Sequence, residues 1–530
     1  MWPALLAAAV SISAENQRPG TPDWDISRPA LHREIEGYAS RTSVDAGEPI
    51  DLFINTAADR YTIDVFRMGW YGGAGARRVA GPIDRRGVRQ PLPQADAATG
   101  LLECRWIDPV HLETRDAAGP WTTGVYLARL TTRPAAPGSP AQSFIVFVVR
   151  HDGGDAPIVF QSSVTTFAAY NNWGGRSLYA FNSGNAPARK VSFDRPYAAD
   201  AYGVRLDGAG DFLRRWEYNA VRFLEREGYD VRYVTDVDTH ARGVDGARVF
   251  LSVGHDEYWS WAMRSALDTA RDRGVHLAFL AADAGYWQIR FEPDATGVPD
   301  RTIVAYKEAA AALDPLARDH DPRNDRYVTG RFRDAPASRP EERLVGVMYA
   351  ADPVDGDIIV DAPRHWVFAG TGLARGDALR GLLGYEVDAI YGDGPRGLER
   401  LAHSPFGDQG RTRYADMTMY RAASGAWVFA TGSMQWNWGL DDYNAPAWHP
   451  ARADARAQRV TRNVIDRMLA DRPSPTPVPS RAGPSVVVTI AAIGSALWVL
   501  RAWWISRSGD RARSGDRDRP GARHRSDFPD

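Results

Sequence analysis

The residues with chemistry in them fall into short runs. The most telling is Val249-Phe250-Leu251-Ser252-Val253-Gly254-His255-Asp256-Glu257-Tyr258-Trp259. An apolar, β-branched stretch ends in a glycine, and an imidazole and a carboxylate follow two residues apart. Side chains two apart on extended backbone can point the same way. His255 and Glu257 can therefore share one ion, and both donor types suit a first-row metal. The plainer reading is a buried histidine satisfied by its neighbour, with Glu257 favoured by the start of the helix that follows.

A second run holds Tyr170-Asn171-Asn172-Trp173-Gly174-Gly175, then Tyr179. A phenol set against a cation can ionise and become an anionic oxygen ligand. Tyr170 reads equally well as an aromatic core residue capped by amides. A third run, Asp283-Ala284-Gly285-Tyr286-Trp287, follows an apolar strand. It puts Asp283 near the His-x-Glu turn if the two strands are neighbours, or makes it an N-cap. A fourth, Gln435-Trp436-Asn437-Trp438-Gly439-Leu440, offers indoles that wall a pocket or simply pack. Glu386 is a further carboxylate whose placement the pattern leaves open.

These runs need elements to position them. From Ala156 onward, short apolar runs at 158–160, 231–234, 249–253 and 275–280 read as strands. Helical periodicity between them, at 212–227 and 259–273, makes βαβ units and a mainly parallel sheet. The expectation for 153–470 is a three-layer α/β domain, amidotransferase-like, with the runs at the carboxyl ends of its strands, where ligands bind. Residues 22–152 alternate apolar and polar in short stretches broken by Gly and Pro, the pattern of an antiparallel β-sandwich.

The ends are read separately. Residues 1–14 look like a signal segment without its basic start. Alternating prolines make 471–484 a stiff linker. The uncharged run that follows reads as a transmembrane helix over 485–505. The arginine-rich tail, 506–530, is then a basic disordered segment on the cytoplasmic side. This implies a single-pass protein of the cell membrane, with lipid bilayer as a partner and the main domains extracytoplasmic. The chain of 530 residues has a net charge of −2, which gives no electrostatic case for nucleic acid. Its one cysteine, Cys104, excludes a cysteine metal site. A cysteine-nucleophile amidotransferase is excluded too, because Gly254-His255 occupies the strand–turn position a cysteine would need.

Taken together, the runs resemble the large (beta) subunit family of N,N-dimethylformamidase. The resemblance implies a mononuclear non-haem ferric iron held by Tyr, His and Glu. His255 and Glu257 match the His-x-Glu pair. Tyr170 is the first choice for the phenolate and Tyr179 the alternative. Asp283 stands where the family's relatives tend to carry an asparagine, and Glu386 is an outer acid. The activity implied is hydrolysis of an amide C–N bond in a small linear amide. The metal would polarise the carbonyl, and Asp283 or Glu386 would pass a proton to the leaving amine. Zinc is the rival ion. The resemblance also makes a small subunit, or a homo-oligomer, the partner to look for. The competing class is a membrane-tethered module that binds glycan or cell-wall polymer without catalysis.

Overall fold

The computed structural model describes residues 10–133, 140–201, 203–445, 447 and 449–472. The central sheet has seven strands. Their order is Val231–Thr235, Ile158–Ser162, Val249–His255, His276–Ala282, Trp427–Ala430, Arg411–Arg421, Glu399–Asp408. The first five run parallel. The last two are joined on by antiparallel pairing, Arg411–Arg421 to Trp427–Ala430 and Glu399–Asp408 to Arg411–Arg421. The four leading strands are short and apolar because both faces of that part are covered, and Val249–His255 is buried along its whole length. The chain leaves Ile158–Ser162 to one side for Val231–Thr235, then crosses to the other side for Val249–His255. That reversal opens a crevice at the carboxyl ends of the two strands, where open sheets bind ligands.

Two sheets precede it. Ile35–Ala39, Pro49–Thr56 and Val110–Glu113 form one of three strands. Ser43–Asp45, Gln142–Arg150, Gly124–Arg133, Arg60–Met68 and Ala76–Arg86 form the other, of five. Their facing side chains, among them Ile35, Leu52, Ile63, Val65, Tyr126 and Phe147, make one apolar cluster. The outer face of the larger sheet is also buried. Phe66, Val125, Leu127 and Phe144 pack into the same core as Phe160, Phe223 and Tyr233. Arg67, itself inaccessible, pairs with the equally inaccessible Glu225 at 2.7 Å across this junction. The two regions therefore fold as one compact unit.

Several expectations are corrected. The architecture is mostly sheet, with small extra sheets and a long hairpin, Met348–Ile359 with Ala378–Ala389, outside the main sheet. It is not a sandwich followed by a self-contained three-layer α/β domain. The transmembrane helix expected over 485–505 is not supported: among the described residues no helix is long and apolar enough to cross a membrane. The longest described helix, Ala455–Ala470, is amphipathic. It buries Val460, Val464, Ile465 and Met468 and carries arginines elsewhere along its length. The segment 485–505 itself, the tail 506–530 and most of the proline-rich linker lie outside the described residues, and the single-pass membrane location is likewise not supported. Most of the signal-like segment also lies outside them. Its last residues begin a short helix, Ile12–Asn16, whose Ile12 and Glu15 are buried against the fold. Residues Trp366–Phe368 form a single tight turn.

Candidate metal centre

His255 is the last residue of its strand, and Gly254 makes its position available. Gly254 has φ +71°, and a Cβ there would stand 2.5 Å from the Cβ of Trp216. Only glycine lets the chain turn this close to Trp216 and aim the imidazole at the crevice. The next strand pairs in parallel register, His255 opposite Ala282. Asp283 follows immediately, with φ +56°, and its backbone N–H donates to Asp388 Oδ1 at 2.9 Å. The two strands are thus neighbours, and Asp283 does sit beside the His-x-Glu turn. Glu386 arrives from the separate long hairpin. No local pattern around Glu386 signals that approach.

The turn between the two candidate ligands is held from below. Asp256 points away from the crevice, and its Oδ2 accepts from Gln161 Nε2 at 2.7 Å and Ser252 Oγ at 2.8 Å. The Glu257 N–H donates to Thr166 Oγ1 at 3.0 Å. That threonine lies on the helix Val164–Tyr170, which follows the first strand of the sheet.

Four buried polar side chains meet at the top. His255 Nε2 lies 3.2 Å from Glu257 Oε2 and 3.3 Å from Glu386 Oε2. None of these three atoms makes a hydrogen bond of acceptable geometry, and Asp283 Oδ1 is unsatisfied as well. His255, Asp283 and Glu386 each offer a donor atom within 4.8 Å of the others. Unsatisfied buried donors aimed at one point are costly without a cation between them. The residues present fit a metal ion by this test. Burial alone would depress the His255 imidazolium; the Glu386 charge and the close approach of both glutamates outweigh it and lift the pKa to about 10. Burial pushes Asp283 well above the usual carboxylate range, and the charges of Glu386 and Glu257 add to this. Burial would raise Glu257 too, but His255, Lys307 and Tyr179 together pull it down.

Both candidate tyrosines face this cluster. Their rings stack with centroids 4.2 Å apart. The Tyr170 ring lies 5.2 Å from that of His255. The Tyr179 hydroxyl donates to Glu257 Oε1 at 2.7 Å and accepts from Tyr258 at 2.6 Å. Burial holds both phenols in their neutral form well above the ordinary tyrosine range, with the Glu257 charge next in effect. The structure thus gathers His255, Glu257, Asp283, Glu386, Tyr170 and Tyr179 at one place. Trp436 and Trp438 are not in it: Trp436 is buried in the core and Trp438 stacks on Trp216 behind the site.

Two side chains escaped the sequence reading. Tyr258 directly follows Glu257 and was legible from that spacing. Lys307 sits in a stretch read as loop, with its Nζ 3.4 Å from the centre of the Tyr179 ring. A single lysine in a loop carries no signal.

The sequence pattern described as N,N-dimethylformamidase beta subunit-like, C-terminal, matches residues 62–449. The chain belongs to this family. It is 26% identical over 372 residues to the N,N-dimethylformamidase beta subunit of Paracoccus aminophilus, covering 61% of this chain and 45% of that protein. It is 24% identical over 419 residues to the protein of the same name from an Alcaligenes species, covering 63% and 51%. The chain thus spans about half the length of the curated relatives it matches.

Proposed function

We propose that the chain is a metal-dependent hydrolase that cleaves the C–N bond of an amide. The observation that carries this is the set of buried, unsatisfied donor atoms of His255, Glu257, Glu386 and Asp283 converging in an open crevice. The names of the relatives supply the amide. His255 and Glu257 would hold the ion, as expected from their spacing. For the phenol we prefer Tyr179 to Tyr170, because its hydroxyl donates to Glu257 Oε1 at 2.7 Å. The Tyr179 proton has a path to leave, since Glu257 already accepts it. A phenolate in this set favours ferric iron over zinc.

A bound ion would polarise the amide carbonyl and acidify a water. Asp283 and Glu386 do the proton work on the chain's side. Burial and the neighbouring carboxylates raise the pKa of Asp283, which suits it to donate to the departing nitrogen. Glu386 stands within reach of His255 and can take a proton from an attacking water. Closure of the backbone of Asp283 onto Asp388 fixes the donor's position. The relatives are named as beta subunits, and we extend to this chain the expectation of a second kind of subunit.

The test is elemental analysis and visible absorption of the purified chain. About one iron per chain and a phenolate-to-iron absorption band are expected. Tyr179→Phe should abolish the band, Tyr170→Phe should keep it, and His255→Ala should empty the site. A chain that takes up no metal, or whose amide hydrolysis survives His255→Ala, ends the reading.

A further inference from the structure

The cluster opens into a cavity of about 620 Å³. Glu257, Asp283 and Glu386 lie at its inner end. Such a volume suits a ligand of drug size, far more than a formamide with two methyl groups. The cavity is also lined by two cations, Lys307 and Arg189, and by two further carboxylates, Glu308 and Asp352.

Lys307 is held in an unusual way. Its ammonium stands 3.4 Å from the centre of the Tyr179 ring and 4.9 Å from that of Trp287, with Tyr258 at 6.0 Å. Three aromatic rings therefore surround it on the protein side. Among the described residues its Nζ forms no ion pair and no hydrogen bond, and the same holds for the Arg189 guanidinium. An ammonium has three donor hydrogens and no acceptor capacity. The rings and the charges of Glu257, Glu308 and Asp283 satisfy its charge in part but leave those hydrogens to whatever enters the cavity. Tyr179 lies directly beneath, and its hydroxyl donates to Glu257 Oε1 in the cluster.

Resting on the reading of this site as an amide hydrolase, we propose that its substrate is an amide carrying a carboxylate, of the N-acyl amino acid type, and that Lys307 with Arg189 binds that carboxylate. The carboxylate accepts from the ammonium and the guanidinium while the amide carbonyl reaches the centre below. Lys307 is then a specificity-determining residue.

The test measures binding to the full purified chain by calorimetry, with N-acetylglycine as the anionic probe and N-acetylglycinamide as its neutral match. The anion should bind at least ~10-fold more tightly, the usual worth of one charge-assisted contact. The preference should shrink with added salt. Lys307→Met should remove most of it while leaving the neutral probe within about twofold, and Lys307→Arg, which keeps the charge, should retain it. Equal binding of the two probes by the unaltered chain overturns the proposal, and so does a preference that survives Lys307→Met combined with Arg189→Gln. Should Lys307→Met fail to fold, the salt dependence and Lys307→Arg still decide. Amine release by the metal-loaded chain is scored separately. A charge preference without any hydrolysis sinks the hydrolase reading alone; hydrolysis without the preference sinks only this one.

Discussion

Arg67→Met should destabilise the protein severely, and a second change should largely repair it. The Arg67 guanidinium is inaccessible and has its donors filled. It makes a two-pronged contact with Glu225 at 2.7 and 3.0 Å, reaches Thr123 O at 2.9 and 3.0 Å, and meets the Tyr71 hydroxyl at 3.0 Å. Without it, Glu225 stays inaccessible and keeps only neutral donors, Asn16 Nδ2 at 2.7 Å and Tyr233 OH at 2.9 Å. Removing one partner of a buried pair costs about 3–5 kcal/mol. The two remaining donors put the expected loss near the lower end, about 3 kcal/mol. Replacing both partners with apolar groups removes the stranded charge, so Arg67→Met with Glu225→Met should recover most of that loss. Urea unfolding followed by tryptophan fluorescence reads this as a shift in midpoint at unchanged slope. The argument is refuted if the single change costs under about 1 kcal/mol, or if the double variant is no more stable than the single. A repaired double variant that folds would also show that the pair is not needed to join the sandwich strands to the site's sheet.

Gly254→Ala tests how the centre is positioned. A side chain at φ +71° costs about 1–2 kcal/mol, and its Cβ would overlap Trp216. The fold should survive with a lower melting temperature, while metal uptake falls further than stability does; full metal content in this variant would contradict the role given to Gly254. The Glu217 carboxyl, inaccessible between Ser162 and Ser163, is pushed by burial from 4.5 up to about 8. Its folded pKa exceeds its unfolded one, so its contribution to stability is complete below about pH 4.5 and is lost as pH rises toward 8. At 1.36 kcal/mol per pKa unit the whole span is of order 5 kcal/mol. Glu217→Gln removes the titration, so its stability relative to the unaltered chain should improve steadily from pH 5 to pH 8. Melting curves across that range check it, and a constant difference would refute it.

Much of the sheet was legible because its strands are buried on both faces. Runs such as Val249–Val253 and Leu277–Leu280 have no reason to be so apolar unless something covers both sides. The His-x-Glu turn was legible for the same reason: a polar pair at the end of such a strand lies at the rim of a covered sheet. The phenol was not, since Tyr170 and Tyr179 precede His255 on one loop and their rings stack together. Spacing cannot tell which hydroxyl meets Glu257. Glu386 and Lys307 reach the site from a hairpin and a loop far along the chain, and local pattern says nothing about such approaches. The fusion of the sandwich with the site's sheet was hidden in a similar way. Arg67 in an alternating strand reads as a solvent-facing residue, and its buried partner is 158 residues away.

The position of the centre follows from the order of the strands. The chain builds outward from Ile158–Ser162 to one side, then to the other, and the loops leaving the two central strands must part. Tyr170 and Tyr179 leave on one loop; His255 and Glu257 leave on the next. The gap between them needs a lid, since parted loops expose backbone and side-chain polar groups that a buried site cannot leave wet. The hairpin Met348–Ile359 with Ala378–Ala389 supplies part of that cover and brings Glu386 and Asp388 with it. Covering the gap buries carboxylates beside one imidazole, and burial raises the cost of every unpaired charge there. The fold that makes the crevice therefore also gathers these carboxylates around one imidazole, before any substrate is considered.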